Sequence, residues 1–277
     1  MSEATWYRHF VPALIALSLI PFARGPGGPP AGMPNGHGTA SGARSLHAHL
    51  ACTPLRRGSG RLVERVAADG SLAGYELELG RARRGPQRVV ELPAESFLGD
   101  RVGDAVLVGS DDGLRSRLRL VGAGHGCERV IATSRERIFR RAAIDPAGQS
   151  VVALHLERRT RRELGIFRRP LGGGRWERLL GPLADDAPAV LARIGPIFAT
   201  ILAWSGDGAT LAVQSCGSHA CATRVVAGDG GSKLLLGRPG QGPLLRVERD
   251  LLLTLAVCAG TPCPIVRTRL STGEVLP

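Results

Sequence analysis

Short apolar runs separated by Gly, Asp and Ser clusters recur along the chain, most clearly between residues 197 and 236. Three runs, Ile197–Trp204, Thr210–Cys216 and Cys221–Ala227, are followed by a fourth, Lys233–Leu236. Runs of about four to eight residues bounded by turn-forming residues are typical of β-strands. The segment therefore predicts a four-stranded meander, which needs stacked copies to bury its two apolar faces.

Comparable sets of runs occur before and after this meander. Turns between second and third strands are expected near residues 70, 112, 160, 218 and 260. Spacings of about 40–60 residues are typical of propeller blades. A strand ahead of the first copy is expected around Leu46–Cys52, and the Pro-, Asp- and Ala-rich stretch Gly181–Gly195 is interpreted as an insertion. The pattern predicts an all-β fold, a β-propeller of four-stranded antiparallel blades of which about five are visible.

Two copies carry a motif at the turn between their first two strands. The sequence WSGDG at Trp204–Gly208, followed by Leu211–Val213, resembles the W-S-P-D-G plus apolar strand signature of TolB-like β-propeller repeats. The stretch Ile144–Gly148, followed by Val151–Leu154, is a degenerate version. The resemblance covers roughly residues 45–277. It implies a secreted or periplasmic propeller that acts mostly as a docking surface, and it transfers no catalytic residue.

The first 44 residues differ from the repeats. Residues 1–24 place Arg8 and His9 before the apolar stretch Phe10–Ala23, which is shorter than the roughly 20 residues a membrane-spanning helix needs. Such a segment is typical of a secretory signal peptide, with an uncleaved N-terminal anchor as the alternative. Residues 25–44 are rich in Gly and Pro and predict a disordered linker. We expect the propeller to span residues 45–277 and the protein to be extracytoplasmic, either secreted or anchored at the cell surface or in the periplasm.

The formal net charge is +12, and Lys233 is the only lysine, so the positive charge is almost entirely arginine. One interpretation is a codon bias that scatters solvated arginines over the surface. The other is an anionic partner, because the guanidinium group matches carboxylate and phosphate geometry. Nucleic acid is not expected, since no recognisable module is visible and aromatic residues for base stacking make up only 4% of the chain.

The densest positive charge lies at the predicted turn with the sequence RRTRR. In a propeller, equivalent turns of successive blades emerge on one face, and loops on a rigid scaffold commonly bind partners. We therefore expect an unknown protein or anionic ligand to bind Arg158, Arg159, Arg161 and Arg162. The alternative is solvated charge at an exposed turn. We expect a monomer that contacts membranes only through an N-terminal anchor.

The six cysteines suit an oxidising compartment. Cys216 and Cys221, and likewise Cys258 and Cys263, have four residues between them across a predicted hairpin turn. Directly opposed residues of a hairpin have Cα atoms about 4.5 Å apart, which suits a disulfide. The first alternative is a zinc site formed by all four cysteines, which is disfavoured because hairpin tips on neighbouring blades should splay apart. Free thiols are the second alternative. The remaining two cysteines are Cys52 and Cys127. A disulfide between them could link the start of the repeats to the second copy, and their pairing stays open.

No nucleophile or phosphate-binding motif is present, and no H-E-x-x-H metal motif occurs. The glycine-rich stretch Gly122–Gly126 favours a strand-to-strand turn over a phosphate loop, and His47 and His49 favour edge positions over a metal pair. The acidic pairs Asp111-Asp112 and Asp185-Asp186 lie in turn-like sequence, where Asp bonds to its own backbone.

The sequence thus predicts no catalytic residue, no metal and no cofactor, and favours a noncatalytic docking scaffold. The alternative is a propeller hydrolase or lyase with a site in the central channel. The predicted inner strands Ile138–Ile144 and Ile197–Trp204 are mostly apolar apart from Arg140 and Arg141, which disfavours a channel site. A surface-exposed sensory or structural repeat is a third hypothesis, because fold alone does not determine function.

Overall fold

The computed structural model describes residues 59–80, 88–102, 105–122, 128–227, 231–236, 241–248, 250–256 and 264–276. These residues form five antiparallel sheets, each with its strands hydrogen-bonded in chain order. The prediction of an all-β fold is confirmed. The chain divides into two compact units, Met1–Thr133 and Ser134–Pro277.

The first unit contains a three-stranded and a four-stranded sheet. Leu77, Leu79 and Leu92 of the first sheet pack against Val106 and Val108 of the second in one buried cluster. The additional strand predicted around Leu46–Cys52 lies outside the described residues. The strands are β1 (Ser59–Val66), β2 (Leu72–Gly80), β3 (Arg88–Pro93), β4 (Ser96–Val102), β5 (Ala105–Asp111), β6 (Ser116–Gly122) and β7 (Glu128–Ser134).

The second unit contains three sheets of four strands, with two short helices between its first and second sheets. We refer to these sheets as the third, fourth and fifth. The elements are β8 (Arg137–Ile144), β9 (Ser150–Glu157), β10 (Glu163–Pro170), β11 (Glu177–Leu180), α1 (Leu183–Asp186), α2 (Pro188–Ile194), β12 (Ile197–Trp204), β13 (Thr210–Gly217), β14 (Cys221–Ala227), β15 (Ser232–Leu236), β16 (Gln241–Glu248), β17 (Leu251–Ala256), β18 (Ile265–Arg269) and β19 (Val275–Leu276).

The fourth sheet is covered on both faces, as the meander pattern predicts. On one face Leu211 and Val213 of β13 pack with Val152 and Leu154 of the third sheet. On the other face Ala212 lies in a cluster with apolar residues of the fifth sheet. Because side chains alternate along a strand, both faces of β13 can be buried at once. This explains why its run is almost continuously apolar.

The WSGDG motif forms the turn between β12 and β13. The Ser205 hydroxyl donates to an Asp207 carboxylate oxygen at 2.6 Å, and the same oxygen accepts the Ala209 N–H at 3.0 Å. Gly208 has a φ of +73°, a conformation that side chains rarely adopt. A Cβ on Gly208 would lie 3.4 Å from Cδ of Pro146, in the matching turn of the third sheet. These motif residues therefore close hairpins, and both turns lie at the same end of their sheets.

The insertion Gly181–Gly195 forms helices α1 and α2, which the sequence analysis did not predict. Pro188 occupies the first turn of α2, where its missing N–H leaves no unsatisfied donor. Leu183, Val190 and Ile194 form a small buried cluster with Ala222 of β14. The helices are therefore held on the fourth sheet by tertiary packing, because segments this short are not stable alone.

The proposed signal peptide or anchor (residues 1–24) and linker (residues 25–44) lie outside the described residues. No helix of the described part is long and apolar enough to cross a membrane.

Candidate functional site

Three segments meet at one end of the third and fourth sheets. They are the turn Arg158–Arg162, the helices spanning Leu183–Ile194, and the hairpin tip Ser218–Ala220. An ion pair links the first two segments, and a backbone hydrogen bond of 3.0 Å from His219 N–H to the Ile194 carbonyl links the last two. We call this surface the helical face. It lies at the opposite end of these sheets from the WSGDG turn.

The arginine turn is tightly braced by its own residues. The Arg161 N–H donates to the Glu157 carbonyl at 2.8 Å, and Arg161 adopts a positive φ of 59°. The Thr160 hydroxyl donates to the Glu157 carboxylate at 2.5 Å and accepts the Arg162 N–H at 3.2 Å. The turn therefore presents its arginines from a defined backbone.

The four arginines of this turn have different surroundings. Arg158 is half-buried, and its Nε donates to the Arg135 carbonyl at 2.7 Å. Arg162 Nη2 lies 3.1 Å and 3.3 Å from the two carboxylate oxygens of Asp185. Arg159 and Arg161 are exposed. Within the described chain, the Arg159 side chain makes no hydrogen bond or ion pair. Binding by this turn, as predicted from sequence, stays a prediction.

An ion cluster around a buried arginine anchors the helices to the sheets beneath them. Arg224 of β14 is only 5% exposed. Its Nη1 donates to the Gly181 carbonyl at 2.7 Å and to Asp186 Oδ2 at 3.1 Å, while Nη2 lies 3.4 Å from Glu163 Oε1. The same Glu163 oxygen accepts the Leu183 N–H at 3.2 Å. The start of the insertion is thus fixed to two strands of different sheets.

Burial raises the pKa of Glu163, and the positive charge of Arg224 partly opposes this effect. The sequence analysis missed this cluster. Its one visible signal is an arginine inside the mostly apolar run Cys221–Ala227, since a charge buried in a strand requires partners. Asp185 and Asp186, interpreted from sequence as turn residues, instead lie in α1 and pair with Arg162 and Arg224.

The hairpin beneath α2 is closed by a disulfide between Cys216 and Cys221. The two residues are directly paired across β13 and β14, with Cα atoms 4.0 Å apart, and both are buried. A Cβ on the adjacent Gly217 would lie 2.2 Å from the Ile194 carbonyl oxygen, so only glycine allows the helix to sit this close. The predicted facing arrangement of Cys216 and Cys221 is present.

The other cysteine predictions concern Cys52, Cys127, Cys258 and Cys263, which lie outside the described residues. Their pairing, and the rival zinc site, stay predictions. His47, His49 and most of the glycine-rich stretch Gly122–Gly126 also lie outside the described part. Among the residues that the structure describes, no group of three or more His, Cys, Asp or Glu side chains is placed to hold a metal ion.

Asp111 and Asp112 have the turn role that the sequence analysis favoured. An Asp111 carboxylate oxygen accepts the Gly113 N–H at 2.7 Å. One Asp112 oxygen accepts the N–H groups of Leu114 and Arg115, and these bonds lower the pKa of Asp112. Both carboxylates therefore organise the turn between β5 and β6.

An aromatic cluster around His155 in the third sheet was also missed. The His155 ring stacks on Phe167 with centroids 4.5 Å apart, and the Trp176 ring meets it edge-on at 4.5 Å. Phe139 completes the cluster at 5.0 Å. Aromatic residues make up only 4% of the chain, and three of them surround this one histidine.

His155 is fully buried, and the charged group beside it is the Arg137 guanidinium. Arg137 Nη1, which can act only as a donor, lies 3.5 Å from His155 Nδ1. Burial first, and the Arg137 charge second, lower the pKa of His155 to about 3. The imidazole is therefore neutral near neutral pH and contributes to packing.

No protein-family model and no curated protein matches the chain. Among solved structures it is similar to TolB from Acinetobacter baumannii, at 12% identity and a TM-score of 0.51, over 88% of this chain and 59% of TolB. It is similar to a prolyl endopeptidase at 13% identity and a TM-score of 0.51, over 98% of this chain and 40% of the other.

A third similarity is to oligopeptidase B from Leishmania major, at 10% identity and a TM-score of 0.50, covering 79% of this chain and 32% of that enzyme. The chain thus spans less than two thirds of each of these proteins. At such identities the likeness shows the fold alone. The chain has a TolB-like β-propeller fold, as its repeat motif predicts.

Proposed function

We propose that this protein is an exported, noncatalytic β-propeller whose helical face docks an acidic protein or another anionic ligand. The single observation that carries the proposal is the arginine turn, which a network of backbone and side-chain bonds holds rigid while Arg159 and Arg161 remain exposed. Rigid presentation lowers the entropy lost on binding. Loops displayed by a stable scaffold are a common basis of recognition.

Charge supports an anionic partner. Within the helical face the arginines outnumber the acidic residues. Both acidic residues already pair with arginines, Asp185 with Arg162 at the surface and Asp186 with the buried Arg224. The arginines are Arg158, Arg159, Arg161, Arg162 and Arg193, and the acidic residues are Asp185 and Asp186.

Two observations support export. The Cys216–Cys221 disulfide suits an oxidising compartment, because thiols in the cytosol are generally kept reduced. The signal-like pattern of residues 1–24 favours the same location. The compartment can be tested by cell fractionation together with N-terminal sequencing of the mature protein.

The docking proposal is tested by charge reversal with a matched control. Tagged R159E/R161E protein and wild type would be used to capture partners from the cell envelope, with quantitative mass spectrometry at low and high salt. The control is R175E/R178E, which reverses two exposed arginines outside the helical face.

We expect R159E/R161E to lose the captured partner while its melting temperature stays close to that of wild type. The control should keep the partner, and high salt should weaken capture by wild type because exposed charges are screened. Equal capture by wild type and R159E/R161E would overturn the proposal.

A further inference from the structure

We propose that Asp185 occupies the arginine turn in place of a carboxylate from an acidic protein segment, and therefore competes with the partner for Arg162. The inference rests on the proposed function and names the partner's chemistry: a peptide segment rich in Asp or Glu. The juxtaposition that carries it is the exposed ion pair between Arg162 of the turn and Asp185 of helix α1, next to Arg159, which has no ion-pair partner among the described residues.

The pair is exchangeable because it is exposed. The Arg162 and Asp185 side chains are 65% and 53% exposed, and both carboxylate oxygens face one guanidinium nitrogen. Exposed ion pairs contribute little to stability. An incoming carboxylate can therefore replace Asp185 without a large loss of folding stability.

Helix α1 does not depend on Arg162 for its position. The next residue, Asp186, is bound by the buried Arg224, and the Leu183 N–H donates to Glu163. Displacing Asp185 would leave these bonds intact. The arrangement thus separates a buried anchor, which holds the helix, from a surface contact, which can exchange partners.

The neighbouring arginine defines the class of partner. Arg159 lies on the same turn, three positions before Arg162, and within the described chain its side chain has no ion-pair partner. A single carboxylate can take the place of Asp185, but a segment with several carboxylates can pair with both arginines. Charge-assisted hydrogen bonds to guanidinium groups are stronger than neutral ones. An acidic segment is therefore favoured over an isolated carboxylate.

The test uses a fluorescein-labelled decaglutamate peptide and the full chain, with fluorescence anisotropy at low ionic strength. The variants are D185N, R162A, R162A/D185N and the control D112N. Asp112 forms a comparable exposed pair with Arg117 at 3.3 Å, with side chains 40% and 39% exposed, on a turn of the first unit.

We expect D185N to bind the peptide about two- to fivefold more tightly than wild type, the change that loss of a weak exposed pair allows. The gain should vanish in the R162A background, and D112N should bind like wild type. Circular dichroism and melting temperature establish that each variant is folded.

Two results would overturn the inference. Equal or weaker binding by folded D185N would remove the competition, and an equal gain in D112N would show that any released arginine suffices. Absence of peptide binding to every variant would overturn the acidic-segment partner. The docking function is judged separately by envelope capture with R159E/R161E, so the two proposals can fail independently.

Discussion

His155 and Arg224 are both ionisable side chains buried in the second unit, and their surroundings differ sharply. His155 lies among aromatic rings, and the charge beside it is the like charge of Arg137. Arg224 lies between two carboxylates and a backbone carbonyl. The histidine is therefore neutral, while the arginine keeps its charge inside an ion cluster.

The difference shows how one scaffold uses buried polar groups in two ways. A neutral histidine adds aromatic packing to the third sheet, and its protonation would place a charge among apolar rings. A paired arginine ties the helical insertion to the fourth sheet through directional hydrogen bonds. A purely apolar contact would define the orientation of the insertion less sharply. The helical face depends on the second arrangement and not on the first.

The largest expected effect comes from breaking the ion cluster. Replacing Arg224 by Met should destabilise the protein by about 3 kcal/mol, the lower end of the range for breaking a buried pair, because Glu163 is left partly buried without its counter-charge. Urea unfolding followed by circular dichroism would measure the change. The control R168A removes an exposed pair with Glu177 and should change stability by less than about 1 kcal/mol. A similar loss of unfolding free energy in the two variants would contradict the view that Arg224 matters more than an exposed arginine.

An intermediate effect is expected from pH. Because the pKa of His155 is lowered to about 3 in the folded protein, the unfolded chain takes up its proton first as the pH falls below about 6.5. Stability should therefore fall with acidification, with His155 contributing about 2–3 kcal/mol of loss between pH 7 and pH 4.5.

Carboxylates also titrate in this range, so a variant is needed to isolate His155. H155F keeps an aromatic ring in the cluster and removes the proton-binding site. Thermal unfolding of both proteins across pH should show a shallower decline for H155F. Parallel curves for wild type and H155F would mean that His155 does not remain neutral in the folded protein.

The smallest of the three effects concerns the hairpin disulfide. C216A/C221A should lose about 2 kcal/mol, since the bond closes only a short loop and restricts the unfolded chain modestly. Unfolding under non-reducing conditions would measure this loss. Peptide mapping of wild type should recover a Cys216–Cys221 linked peptide, and free thiols at both positions would contradict the structure.

The strand pattern predicted the fold because its signals are local. Gly208 and Asp207 mark the hairpin turn at the level of neighbouring residues, and the apolar run Thr210–Cys216 marks a strand buried on both faces. The facing cysteines follow from the same hairpin spacing. Each of these features depends on residues within a few positions of one another.

The site could be predicted only in part, because its key contacts join distant residues. Arg224 meets Asp186 and Glu163, which lie 38 and 61 positions away along the chain. No local pattern indicates those pairings. The same holds for Arg162 and Asp185, which lie 23 positions apart along the chain.

Site-specific photocrosslinking on living cells tests most directly whether the helical face is the docking surface. Benzoylphenylalanine would replace exposed Ala189 in helix α2 or, as the control, exposed Ala147 in the turn at the other end of the third sheet. We predict a partner adduct at position 189 and none at position 147. An adduct at position 147 alone, or equal adducts at both positions, would contradict the account.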